Sequence, residues 1–95
     1  ELPYSISMGR AYPNPFNHDI TFPVTLNGEG SIEYAIYDIN GRIVTVGHNR
    51  LGSSRDRSIH WNGMRQDGTP VPSGTYFFKL INDDIAITQK ILYLK

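Results

Sequence analysis

Ninety-five residues with 9 Lys+Arg against 9 Asp+Glu and no cysteine make one domain, which buries about 60–65% of the surface its unfolded chain exposes. A formal net charge of zero gives no field that would gather nucleic acid or an anionic membrane surface, and the lack of cysteine excludes a disulfide scaffold, a thiolate metal site and a thiol nucleophile. No apolar run approaches the roughly 18–20 residues of a transmembrane segment, and the opening "ELPYSISMGR" lacks the basic start and apolar centre of a signal peptide.

Nine glycines and six prolines interleaved with Ile, Tyr, Phe and Thr are the punctuation of an all-β chain. In "AYPNPFN" the residues before proline, Tyr12 and Asn14, favour extended conformations. Pro13 and Pro15 withhold N–H donors, which makes a stiff entry segment that Tyr12 and Phe16 are expected to anchor against the core. "DITFPVTL", Asp19 to Leu26, is a strand. Pro23 cannot donate within it, which predicts an edge position or a bulge.

"NGEG" turns the chain, and "SIEYAIYDI" then alternates Ile32, Tyr34 and Ile36 with Glu33, Ala35 and Tyr37, as a strand with one buried side does. Asn40-Gly41 predicts a tight hairpin into "RIVTV", because both residues accept positive φ. A polar stretch, "GHNRLGSSRDRS", leads to "IHW", where Ile59 and Trp61 share a face. "NGMRQDGTPVPSG" is a long connection stiffened by Pro70 and Pro72. "TYFFKLI" sets Tyr76, Phe78 and Leu80 on one face, "NDD" turns, and "IAITQKILYLK" closes the chain. Six or seven strands, with turns every 8 to 12 residues and no helical period, predict an immunoglobulin-like or fibronectin III-like antiparallel β-sandwich.

Chemistry-bearing residues are scattered. His18, His48 and His60 lie 30 and 12 positions apart, without the short spacing of chelating pairs, so no metal site is expected. Asp38, Asn40 and Gly41 imitate the start of a calcium loop, but the later ligands and the closing glutamate are missing, and a turn is the better reading. Asp83 and Asp84 follow Asn82 between two strands, where turn formers belong. Ser53 and Ser54 lack the Gly-x-Ser-x-Gly elbow of a nucleophile. No catalytic residue and no cofactor are expected. Arg50, Arg55 and Arg57 form a basic cluster interrupted by Asp56, in keeping with a solvated loop. Trp61 with six tyrosines admits a sugar-stacking platform, although its alternation with Ile59 favours a core tryptophan.

Read in order, "YPNPFN", "IYDINGRIV", "WNGMRQDGTPVPSGTYFFKL" and the terminal "KILYLK" resemble the type A C-terminal sorting domain of proteins exported by the type IX secretion system. The pattern is also similar to the immunoglobulin-like domain of the flagellar hook-capping protein. The resemblance runs from Tyr12 to Lys95 and is marked by Tyr12, Pro13, Asn14 and Pro15, by Asp38, Gly41 and Arg42, and by Trp61, Gly63 and Gly68.

It implies a non-catalytic signal, residues 1–95 being one sorting domain of a larger secreted protein. An upstream signal peptide takes the precursor to the periplasm, and the outer-membrane translocon recognises the domain. A surface sortase removes it in many members while the cargo reaches the cell surface or medium. It also implies that recognition falls on Gly74, Tyr76, Lys79 and Leu80, and on Lys90, Ile91, Leu92, Leu94 and Lys95. From the residues alone, Lys90 to Lys95 is a closing strand with an apolar centre, and its lysines discourage edge-to-edge pairing.

Two departures from the family pattern stand out. Arg65 follows Met64 where the family often has an acid two positions after "WNG", so the long connection is expected to be either looser or capped by Asp67 instead. His18-Asp19 replaces the usual proline and Ser/Thr-rich strand start. Two other functions stay open. One is an accessory module that binds polysaccharide or spaces the domains of an extracellular enzyme, which requires exposed aromatics in a line. The other is a hook-cap-like structural domain, which requires further sequence after Lys95.

Overall fold

The alternating segments form seven strands: β1 (Ser5–Met8), β2 (Ile20–Asn27), β3 (Ser31–Tyr37), β4 (Ile43–Arg50), β5 (Asp56–Trp61), β6 (Gly74–Asn82) and β7 (Ile85–Tyr93). They come from a computed structural model that describes residues 5–27, 31–50, 56–82 and 85–95, with the backbone alone at 5, 27, 31, 49, 50, 56 and 57. The turns expected at "NGEG" and "NDD", Ser53 and Ser54, Asp83 and Asp84, and the side chains of Arg50, Arg55 and Arg57 lie outside the described residues. β1 was not among the predicted strands, and β4 runs four residues beyond "RIVTV" into the polar stretch.

One sheet has the order β1-β2-β5 and the other β4-β3-β6-β7, and every strand pair is antiparallel. This is the expected sandwich, with β4 paired to β3 in the fibronectin III-like manner. Ile20, Phe22, Val24 and Leu26 of β2 are buried at every second position and face Ile32 and Ile36 of β3 and Phe78 and Leu80 of β6. The Phe22 and Phe78 rings stack at 3.8 Å between centroids, joining the two sheets. Full burial of each such ring stabilises the fold by roughly 1.5–3 kcal/mol. Ala35 is buried although it lies on the outer face, because a methyl group is overshadowed by Val46 and Lys79 beside it in the ladder.

The edge position expected for β2 does not hold. β2 is the middle strand of its sheet, and its register with β5 runs unbroken through Pro23, opposite Ser58. The Pro23 carbonyl accepts the Gly9 N–H at 3.0 Å. The N–H and C=O of a strand residue point to the same side, so the donor that proline lacks is the one the Gly9 carbonyl would have received. Gln89 of β7 supplies it: Nε2 donates to the Gly9 carbonyl at 3.1 Å, and Oε1 accepts the Ala11 N–H at 2.6 Å. One amide side chain from the opposite sheet thus replaces the ladder bond, and proline becomes tolerable in a central strand.

Candidate functional site

Three of the four sequence blocks, which stand far apart in the chain, meet in one aromatic cluster. Phe16 follows the two prolines, Trp61 ends β5, Tyr76 lies near the start of β6 and Tyr93 ends β7. Phe16 stacks on Tyr93 at 4.7 Å and tilts against Trp61 at 5.7 Å, while Trp61 meets Tyr76 edge-on at 5.5 Å. Their polar atoms are engaged as buried aromatics require: Trp61 Nε1 donates to the Met64 carbonyl at 2.9 Å and the Tyr76 hydroxyl to the Pro72 carbonyl at 2.6 Å. Burial raises the Tyr76 pKa above its usual value. Gly63 lies against Tyr93, where an added Cβ would stand 2.8 Å from the ring's Cζ, and its φ is +78°.

β7 is an edge strand, and its last residues are zipped to the entry segment. The Asn14 side chain takes the place of a neighbouring strand, with Oδ1 accepting the Leu92 N–H at 3.0 Å and Nδ2 donating to the Lys90 carbonyl at 3.3 Å. Phe16 continues with backbone, donating to the Leu92 carbonyl and accepting the Leu94 N–H at 3.0 and 2.9 Å. Both prolyl bonds, Tyr12-Pro13 and Asn14-Pro15, are cis. Phe16 anchors this segment as expected, but Tyr12 does not: it is 57% exposed, because its neighbour Ala11 takes the inward position. Tyr12 contributes backbone instead, exchanging two hydrogen bonds with Thr21.

At the opposite edge the long connection does the same for β4. Gln66 donates its N–H to the Val44 carbonyl at 3.2 Å, and its Oε1 accepts from the Val46 N–H at 2.9 Å and the Thr45 hydroxyl at 2.8 Å. Asp67 orders this loop by accepting the N–H and hydroxyl of Thr69. Of the two expectations, a looser loop or one capped by Asp67, the second matches these bonds, which also lower the Asp67 pKa. The β3–β4 turn is wider than a two-residue Asn-Gly hairpin. It spans Asp38 to Gly41, with Gly41 at φ +81° donating to the Asp38 carbonyl, and Asp38 Oδ1 accepting the N–H groups of Asn40 and Arg42.

The family model for secretion system C-terminal sorting domains matches residues 10–94. The chain belongs to that family. It is therefore the sorting signal of a type IX secretion substrate, which implies export to the cell surface or the medium. No curated protein matches it. Its fold is similar to part of the crystal structure of dimeric latent PorU from Porphyromonas gingivalis, with a TM-score of 0.81 at 20% identity over 99% of this chain and 10% of that one. The sorting domain thus spans about a tenth of the PorU chain, and at that identity the likeness concerns the fold alone.

Within the sorting domain, the residues to which the resemblance assigns recognition do not all share one surface. Tyr76, Leu80 and Ile91 are buried in the core. Lys79, Lys90 and Leu92 stand on the outer face of the four-stranded sheet, with Lys90 opposite Phe77 and Lys79 opposite Thr88. Leu94 and Lys95 are exposed at the end of β7, where the Lys95 N–H donates to Ser73 Oγ and its ammonium stands 5.8 Å from the Tyr93 ring centroid. Gly74 opens β6 at φ +156°. Nothing in the sequence pointed to Gln89 or Gln66, and Tyr93, inside the Ile91–Lys95 range that the resemblance marks, gave no sign of its packing role.

Trp61 is only 5% exposed, and Tyr76 and Tyr93 are buried with it, so the sugar-stacking platform is not formed. No group of three His, Asp or Glu side chains that could hold a metal ion occurs among the described residues. Nor is any helix among them long and apolar enough to cross a membrane.

Proposed function

We propose that the outer-membrane translocon reads the folded domain at the end of β7, through Lys90, Leu92, Leu94 and Lys95 with Lys79 beside them. In this reading Gly74, Tyr76, Leu80 and Ile91 hold that surface in shape and touch no receptor. The observation that carries it is the zipping of β7 to Asn14 and Phe16: the Lys90 carbonyl, both backbone groups of Leu92 and the Leu94 N–H are satisfied internally, so side chains more than open hydrogen-bonding groups are what the strand end offers. Two lysines, with leucines between them, give an amphipathic and cationic motif suited to an acidic, partly apolar receptor surface.

The domain performs no catalysis and has no cofactor. It directs a covalently linked upstream cargo domain through the periplasm to the surface or medium, where a sortase cleaves it. The test is a fusion of a signal peptide, a fluorescent reporter and Glu1–Lys95 in a host with the pathway. The reporter is expected outside the cell, and deletion from Gly74 onward is expected to hold it in the periplasm. Periplasmic retention of the intact, folded fusion would sink the proposal.

A further inference from the structure

The ladder leaves one pair of backbone groups uncovered inside a groove. Leu92 directs its N–H and C=O toward Asn14 and Phe16, away from β6. Its register partner Thr75 therefore points its own N–H and C=O the other way, toward the line of β3. The β3 pairing with β6 ends at Tyr37 opposite Phe77, because the chain turns off at Asp38. Where β3 would have continued, a groove of about 440 Å³ lies between the Asp38–Arg42 turn and the Arg65–Pro72 stretch, floored by Gly74 and Thr75. A Cβ built on Gly74 meets nothing within 4 Å, in keeping with open space above the floor.

The rim of this groove is unusual for so small a domain. Ile39 and Ile43, 71% and 61% exposed, are the two most exposed large apolar residues described, and both line it. Its charges are unequal in their availability. Asp38 is spent on the N–H groups of Asn40 and Arg42 and on the Arg42 guanidinium at 3.4 Å, and Asp67 nearby is spent on Thr69. Arg65 donates to the neutral Pro70 carbonyl at 2.7 Å and forms no ion pair with a carboxylate among the described residues. Open backbone, an exposed apolar rim and a guanidinium that forms no carboxylate ion pair, with Asp67 near enough only to feel its charge, together suit strand addition by an acidic peptide.

We infer that this groove binds an extended acidic peptide of a partner protein. The peptide continues the line of β3, pairs its backbone with Thr75, lays an apolar side chain on Ile39 and Ile43, and sets a carboxylate against Arg65. The inference rests on the sorting reading only for the partner's identity as part of the export machinery, since the site itself follows from the groove. It gives the "DINGR" and "SGTY" blocks a shared surface, separate from the end of β7.

The test is an amide and methyl chemical-shift titration of Glu1–Lys95 with a capped pentapeptide alternating valine and glutamate, and with a valine–lysine peptide of the same length. Shifts are expected at Thr75, Gly74, Ile39 and Ile43 with the glutamate peptide alone. Arg65→Glu is expected to weaken binding about tenfold or more, as loss of a charge-assisted bond does. Thr75→Pro, which removes a donor the fold does not use, is expected to abolish the Gly74 shift. Equal binding of the lysine peptide, or shifts that bypass Thr75, would overturn the inference. The titration uses the purified chain, so its failure leaves the sorting reading standing, and failure of the unsubstituted fusion to leave the periplasm counts against sorting alone.

Discussion

Asn14 and Leu92, 78 positions apart, share a 3.0 Å hydrogen bond in which the asparagine side chain accepts the strand's N–H. The same side chain returns a bond to the Lys90 carbonyl, so one amide supplies what a further strand would have supplied to β7. Edge strands invite pairing with other chains, and this arrangement closes the end of β7 while leaving its side chains on view. It also explains why a Pro-Asn-Pro entry segment and a terminal "KILYLK" belong to one structural unit.

Asn14→Ala is expected to cost about 1 kcal/mol, the net worth of an exposed backbone–side-chain pair. That lowers the thermal midpoint by about 4–8 °C in a domain this size. Asn14→Asp keeps the acceptor and loses the donor, so its loss should be smaller. Hydrogen exchange at the Leu92 amide should quicken in the alanine variant.

Gln89→Leu unsatisfies the Gly9 carbonyl and the Ala11 N–H together and is expected to cost about 1–3 kcal/mol. Pro23→Val supplies the N–H that the Gly9 carbonyl lacks, so the double variant should recover part of that loss. Denaturant melts of the four proteins form a double-mutant cycle. Strict additivity would show that Gln89 does not substitute for the missing Pro23 donor.

Gly63→Ala and Gly68→Ala separate two kinds of strain. Both glycines have positive φ, but a methyl group at 63 meets the Tyr93 ring and one at 68 meets nothing within 4 Å. Gly68→Ala should cost about 1 kcal/mol from conformation alone. Gly63→Ala should cost about 1–3 kcal/mol more, because the ring must move within the aromatic cluster. Equal midpoints would remove the packing role given to Gly63.

The carboxylates of Asp38 and Asp67 have lowered pKa values, chiefly from the Arg42 N–H at Asp38 and from the Thr69 hydroxyl at Asp67. A lowered folded value means that these groups favour the fold above the unfolded value of 3.8, and that the contribution is lost as pH falls through the lowered value. The thermal midpoint should therefore show no dependence on these two groups between pH 5 and 8 and should fall in acid below 3.8. Asp38→Asn and Asp67→Asn should each flatten that acid limb.

Much of the fold was legible because strand alternation and turn residues are local signals. Ile32 and Ile36, Ile59 and Trp61, and Phe78 and Leu80 occupy the faces their spacing assigned. What the sequence hid depends on distant partners. Pro23 signalled an edge by its missing donor, and nothing local shows that Gln89, 66 positions later, replaces it. Tyr12 looked like an anchor because it is aromatic beside proline, yet the inward position belongs to Ala11. Gln66 and Asn14 read as ordinary loop residues until the strand edges they cover are known. The site was legible only as blocks in order: the aromatic cluster shows why three of the four occur together, and burial sorts Tyr76, Leu80 and Ile91 from the more exposed lysines and leucines.

The central claim is that exposed side chains at the end of β7, on an intact fold, carry the sorting signal. Its most direct measurement is the fraction of reporter delivered outside the cell by the fusion bearing Lys90→Glu, Leu94→Asp and Lys95→Glu together, in a protein whose thermal midpoint matches the unsubstituted chain. The expected result is a folded fusion held in the periplasm. Delivery at the unsubstituted level would contradict the account.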